Sequence, residues 1–265
     1  MPGPTTAAFL DLLGVPHLAP ATTPFDPGYD PATLTSHLAQ SSHLMNGLKI
    51  SMACWLVADE SVTRAKVAAA RRYGVAPLSG GGPFEIANSL GCLPQYLDLC
   101  ADIGFSRIEA GEGFTRLNHT PAEVVRLAQD RGLGVQCELG SKLSGSFDDA
   151  EVAALLDQGR AWLDAGADEL VVEARESAAG VGLFGESGAL DTRLADRFAE
   201  AFGLSKVVYE APTKPSQFAL LDHLGAEVRL ANVRLEELLR VEIYRRGLHA
   251  DAFAKGRLAP PGPTR

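Results

Sequence analysis

The chain has 265 residues, 46% of them hydrophobic and 22% charged, with a mean hydropathy of +0.03. That balance excludes a disordered tail and a membrane-embedded protein, and no run approaches the ~20 consecutive apolar residues of a spanning helix. Its 33 acidic against 24 basic residues, a net charge of -9, argue against nucleic acid as a partner and leave local basic clusters free to hold a small anion.

Met1 to Leu13 carries neither a basic region nor an apolar stretch ahead of a small-residue cleavage site, so no secretory signal is expected. Beyond it, short apolar runs of strand character recur, each bounded by Gly, Pro, Asp or Ser and followed by helical spacing. Strands are predicted at His17 to Thr23, Leu48 to Cys54, Val75 to Ser79, Arg107 to Gly111, Gly134 to Leu139, Glu169 to Ala174, Lys206 to Ala211 and Val228 to Val233. Helices are predicted at Ser61 to Tyr73, Phe84 to Ile103, Pro121 to Arg131, Asp149 to Ala165, Thr192 to Phe202, Ser216 to Leu224 and Leu235 to Arg246. Thr120-Pro121-Ala122-Glu123 reads as a capped helix start. Gly74, Gly104, Gly132, Gly166, Gly203 and Gly225 each fall where a helix should end and a strand begin. Cys54 and Cys137 fall in predicted strands and Cys92 and Cys100 in a helical pattern. With no C-x-x-C pair they read as small buried thiols in a reducing cytoplasm, not as a zinc site or a disulfide framework.

Strict strand-helix alternation implies parallel pairing, and eight such units in about 250 residues match one α/β fold, a single (β/α)8 TIM barrel. A doubly wound open sheet is the competing architecture, but no G-x-G-x-x-G follows the first strand. Residues 1–265 are expected to form one domain, with 1–14 and 258–265 peripheral.

In such a barrel the chemistry belongs at the carboxyl ends of the strands. Polar residues collect there: Asp26, Lys49, Glu109 with Glu112, Glu138 with Lys142, Glu173 with Arg175, Glu210 with Lys214, and Arg229 with Asn232. Acidic groups in otherwise apolar strands are costly to bury unless paired or metal-bound, and so many at one end mark a functional site. Carboxylate oxygens suit Mg²⁺, and Lys49, Lys142, Arg175, Lys214 and Arg229 supply charge for carboxylate or phosphate groups. Gly81 and Gly82, ahead of a predicted helix, offer backbone N–H groups to an anion. The six histidines, His17, His37, His43, His119, His223 and His249, do not cluster as zinc ligands would.

Several segments together resemble the phosphosulfolactate synthase family: Gly104-Phe105 leading to Ile108-Glu109, Glu138-Leu139-Gly140-Ser141-Lys142, Glu173-Ala174-Arg175-Glu176-Ser177 with Gly182-Leu183-Phe184, Tyr209-Glu210-Ala211-Pro212 with Lys214 and Gln217, Leu230-Ala231-Asn232-Val233, and Arg245-Arg246-Gly247-Leu248 with Asp251. The resemblance implies a Mg²⁺-dependent carbon-sulfur lyase that adds sulfite to phosphoenolpyruvate through a Mg²⁺-stabilised enolate. It implies Lys142 as the proton donor, with Glu138 and Arg175 beside it. The metal candidates are Glu109, Glu173 and Glu210; the substrate-binding candidates are Lys49, Gly81, Gly82, Lys214, Arg229 and Asn232. A lysine among other cations is expected to have its pKa lowered toward working pH. The expected partners are the small anionic substrates and further copies of the chain.

The chain also departs from the family. It has Asp26-Pro27-Gly28 for Asp-Lys-Gly, Ser51-Met52-Ala53-Cys54 for Gly-Trp-Gly-Thr, Gly111-Glu112-Gly113 for Ser-Asp-Gly, and Arg229 for Asn. These changes keep a second reading open, a paralogue with another nucleophile or enol substrate. A third comes from a plant heat-tolerance relative and is a non-catalytic stress-tolerance role.

Overall fold

The computed structural model describes residues 5–50, 52–143 and 145–258; Ser51 of the strand-two loop and the tail predicted to fray beyond Leu258 lie outside the described residues. In chain order the elements are α1 (Thr6–Leu12), β1 (Thr22–Asp26), α2 (Pro31–Ser41), β2 (Leu48–Ile50), α3 (Cys54–Val57), α4 (Glu60–Arg72), β3 (Pro77–Ser79), α5 (Gly81–Ser89), α6 (Leu93–Ile103), β4 (Arg107–Gly111), α7 (Pro121–Gln129) and β5 (Gly134–Leu139). There follow α8 (Asp149–Asp164), β6 (Glu169–Val172), α9 (Thr192–Phe202), β7 (Val207–Glu210), α10 (Lys214–Leu224), β8 (Arg229–Arg234), α11 (Leu238–Arg245) and α12 (Ala250–Ala254), with 3₁₀ turns at Ser42–Leu44 and Leu235–Glu237. The strands pair in the order β1 to β8 and close on themselves, all in parallel. This is the (β/α)8 barrel that the alternation predicts.

Differences in boundaries have local causes. β1 starts at Thr22 instead of His17, because Pro16 and Pro20 bracket a stretch that cannot supply a continuous ladder of N–H donors. β2 stops at Ile50, so Cys54 opens α3 and does not sit in a strand. The long helix predicted from Phe84 to Ile103 is two, because Gly91 takes φ +70° between α5 and α6. α2 escaped the periodicity reading although its start is well marked: Asp30 caps the Ala32 and Thr33 amides, and Pro31 follows. The capping box at Thr120 and Glu123 forms as expected. α1 buries none of its residues. Among the described residues no helix is long and apolar enough to cross a membrane.

Side chains alternate along each strand, and on several strands this stacks three layers inside the barrel. At the amino ends, Glu169 of β6 takes ion pairs from Arg107 of β4 and Arg229 of β8. Those three strands are not neighbours, so the contacts cross the barrel interior. One layer up, Val171, Val208 and Ala231 form an apolar plug separate from the main core between sheet and helices. One layer further come Glu173 and Glu210. Arg229 therefore stands about 10 Å of strand below Asn232, on the far side of the plug, and the structure does not bring it together with the other predicted substrate-binding residues. Its position predicts a purely structural role. Arg229→Ala should cost about 2 kcal/mol, the worth of a charged hydrogen bond, while KM and kcat stay unchanged. A raised KM in a folded variant would overturn that placement.

Candidate active site at the carboxyl ends of the strands

Lys49 lies on β2 and is 5% exposed. Its Nζ stands 2.9 and 2.7 Å from the two oxygens of Glu109 on β4, 3.1 Å from Asn232 Oδ1 and 3.7 Å from Glu210 Oε1. Glu109 also accepts from Gln136 Nε2 at 2.6 Å and from the Gly81 N–H at 3.0 Å. Its Oε1 thus accepts twice, from Lys49 and the Gly81 amide, while its Oε2 accepts from Gln136 and lies in ion-pair contact with Lys49. Gln136 was missed in the sequence, although it lies two residues before Glu138 on the same strand face.

Lys142 follows β5 and completes the group. Its Nζ donates to Glu138 and, at 2.8 Å, to Glu173 Oε2. Glu173 in turn accepts from the Arg175 amide, and Glu210 accepts from the Ala174 amide at 2.9 Å and from the Asn232 side-chain amide. Five of the predicted residues, Lys49, Glu109, Glu138, Glu173 and Glu210, are 1 to 5% exposed, whereas the Lys142 side chain is 29% exposed and forms the accessible lip. Among the described residues four non-glycines take positive φ: Met52 after β2, Arg175 and Ala178 after β6, and Asn232 in β8. Such strain persists only where the surroundings impose it, and here it falls at this end of the barrel.

The charges decide the protonation states. Burial alone pulls both lysines down, but the carboxylates outweigh it. Glu109, Glu210 and Glu138 hold Lys49 above the ordinary lysine value, and Glu138, Glu173 and Glu210 do the same for Lys142. The expected lowering of Lys142 by other cations is thereby overturned, since its near neighbours are carboxylates. Burial would raise Glu173, yet Lys142 holds it down at about 2. Burial raises Glu109 too, but Lys49 draws it below the ordinary value. Burial and the Glu173 charge push Glu138 and Glu210 well above the carboxylate range. Four carboxylates face two ammoniums, an excess of two negative charges when all are ionised. That excess, together with burial, is what pushes Glu138 and Glu210 up.

The remaining predicted residues lie around this group. Gly81 enters it through its amide, and a Cβ on Gly82 would meet open space. Arg175 is exposed, and its guanidinium has no hydrogen bond or ion pair to any described residue. Lys214 points away: its Nζ sits 5.1 Å from the Phe218 ring centroid and 3.7 Å from Asp251. Asp26 is engaged with Lys66 at 2.8 Å and with the Gly28 and Tyr29 amides. Glu112 bonds the Leu117 amide and Gln158. Two cavities, of about 300 and 310 Å³, lie one apolar against Leu56, Ile86 and Leu99 and one beside Asp26 and Lys66, and neither is lined by the lysine-glutamate cluster. Among the described residues no three His, Cys, Asp or Glu side chains stand ready to enclose a metal ion.

The family model described as (2R)-phospho-3-sulfolactate synthase (ComA) matches residues 16–251. The chain is 30% identical over 235 residues to phosphosulfolactate synthase of Methanocaldococcus jannaschii, covering 88% of this chain and 94% of that one. It is 28% identical over 249 residues to phosphosulfolactate synthase of Methanothermobacter thermautotrophicus, covering 91% and 94%. Among solved structures, the deoxyribose phosphate aldolase of Aeropyrum pernix superposes with a TM-score of 0.56 over 91% of this chain and 99% of that one. At 16% identity the likeness to it is one of fold. The chain belongs to the (2R)-phospho-3-sulfolactate synthase family.

Proposed function

We propose that the chain adds sulfite to C3 of phosphoenolpyruvate and protonates C2, giving phosphosulfolactate. The observation that carries this reading is the Lys142 ammonium, held by Glu138 and Glu173 at the exposed lip of a buried charged cluster. The sulfur lone pair forms the new C–S bond, and the C2=C3 electron pair moves to C2 and into the substrate carboxylate. Lys49 and Lys142 lie where positive charge meets that developing charge. Lys142 then passes one ammonium proton to C2 and is reprotonated from solvent. Its raised pKa keeps it in the acid form before turnover, and the carbanion it protonates is far more basic than an amine. Glu138 and Glu173 set the direction of the ammonium, and Arg175, whose guanidinium has no partner among the described residues, is the group that holds the phosphate or sulfonate.

A hard divalent cation fits the donor set, which has oxygen ligands only and two excess negative charges. Bound Mg²⁺ would supply Lewis-acid charge against the substrate carboxylate. Glu109, Glu173 and Glu210, with Glu138 beside them, are the residues that would hold it. Since no three of these groups converge, one or two carboxylates serve, and water and substrate oxygens complete the shell, as is usual for Mg²⁺.

Incubation with Mg²⁺, phosphoenolpyruvate and sulfite should consume the enol absorbance and yield one new phosphorus resonance, with no reaction when sulfite is left out. If phosphoenolpyruvate survives sulfite but reacts with another nucleophile, the substrate assignment is wrong. Without substrate, millimolar Mg²⁺ should raise Tm, and more so at pH 8 than at pH 6. Glu138 and Glu210 carry raised pKa values, so the protons that compete with the cation leave as pH rises. A Tm insensitive to Mg²⁺ at both pH values would count against the metal.

A further inference from the structure

α5 supports both lysines. Its first amide, on Gly81, holds Glu109, the carboxylate that seats Lys49. One turn on is Glu85, which is fully buried. Its Oε2 accepts from the Phe114 and Thr115 amides, each at 2.8 Å, and from the Thr115 hydroxyl at 3.2 Å. Its Oε1 is buried with no hydrogen-bond partner. These bonds fix the loop after β4, and the next carbonyl back, that of Gly113, accepts from the Lys142 amide at 2.6 Å and from the Ser141 hydroxyl at 3.3 Å.

The packing at Gly113 shows how closely the three groups meet. A Cβ there would lie 3.0 Å from Glu85 Oε1, 3.0 Å from Glu138 Oε1 and 3.1 Å from Lys142 Cγ. One glycine thus spaces the buried carboxylate from the ammonium's stem and from its partner. A loop can be held by ordinary capping side chains at the surface. Doing so with a buried carboxylate, one oxygen of which stays unsatisfied, carries a desolvation penalty that a structural role alone does not require.

We propose that Glu85 is a positioning residue for Lys142. By fixing the Phe114 and Thr115 amides it sets the Gly113 carbonyl, which holds the Lys142 backbone and so the height of the ammonium above the reacting carbon. The proposal rests on the reading of Lys142 as proton donor, and its test has one arm that does not depend on that reading.

Glu85→Asp keeps the charge but withdraws the carboxylate by one methylene, while Glu85→Gln keeps an amide oxygen within reach of both loop amides. Glu85→Asp should lower kcat about 100-fold, the scale of an ångström-sized misplacement, with KM for phosphoenolpyruvate nearly unchanged, and Glu85→Gln should recover most of the loss. Hydrogen exchange followed by mass spectrometry should show faster exchange in Glu85→Asp both at residues 113–115 and at residues 141–142. Gly113→Ala, whose Cβ would press on Glu85, on Glu138 and on the Lys142 stem together, should likewise lower kcat. A folded Glu85→Asp enzyme with unchanged kcat, or faster exchange confined to 113–115, would overturn the proposal. If the unaltered enzyme does not turn over sulfite, the functional reading fails, and the exchange measurement still decides whether Glu85 governs Lys142.

Discussion

Lys142→Ala is expected to turn over phosphoenolpyruvate and sulfite about 10³-fold more slowly, within the range of a lost general acid, with little change in KM because Lys49 and Arg175 remain. Lys142→Arg separates proton transfer from charge. Arginine can keep the ion pairs to Glu138 and Glu173 but does not give up its proton, so this variant should stay slow; full activity in it would make Lys142 an electrostatic anchor. The alanine variant also changes the response to acid. Glu173 stands at about 2 because of Lys142, below its ordinary 4.5. Its contribution to stability is therefore present above pH 4.5 and lost as pH falls toward 2. Without Lys142 that acid limb should flatten, which urea titrations at pH 3 and pH 6 would detect. A variant as acid-sensitive as the parent would place the cause of the Glu173 shift elsewhere.

The barrel was legible because parallel strands leave a coarse signal: an apolar run, a helix, a glycine, and the next run. Seven of the eight strands begin within two residues of where that signal puts them, and β1 is shifted past Pro20. The site was legible only in part, because strand position along the barrel axis has to be read residue by residue. Glu138, Glu173 and Glu210 lie at or just beyond the carboxyl ends of their strands and meet Lys142 and Lys49 at the top. Arg229 belongs to the last strand too, but it is that strand's first residue and meets Glu169, the first residue of β6. The side-chain period of two places Arg107, Glu169 and Arg229 in one layer and Glu173 and Glu210 in another. The gain of Arg229 thus does not make up for the missing lysine at Pro27. The cation that does reach the end of β1 is Lys66 on α4, bonded to Asp26, and no local pattern announces it. Glu85 was invisible for a similar reason: a glutamate on a helix reads as a solvated face until the loop it bonds is in place.

Lys49→Met should cost about 3–5 kcal/mol, the usual consequence of removing one partner from a buried ion pair. The cost arises because Glu109 and Glu210 lose their shared cation with both carboxylates nearly sealed from water. Glu109→Gln removes the other partner and leaves Lys49 with Asn232 and a more distant Glu210. If the pair is stabilised mainly by mutual compensation, the double variant should lose less than the sum of the singles, with a coupling on the order of 1–3 kcal/mol in urea unfolding. Strict additivity would mean that each residue is held by its other contacts and that the pair is not a unit. The cycle also separates stability from chemistry. The glutamine can still accept the Gly81 amide, so the double variant should keep the α5 end in place yet lose turnover, because the proposed reaction needs the Lys49 charge against the substrate carboxylate. A stable double variant that retained turnover would remove Lys49 from the reaction and leave Lys142 and Arg175 as the groups that meet the substrate.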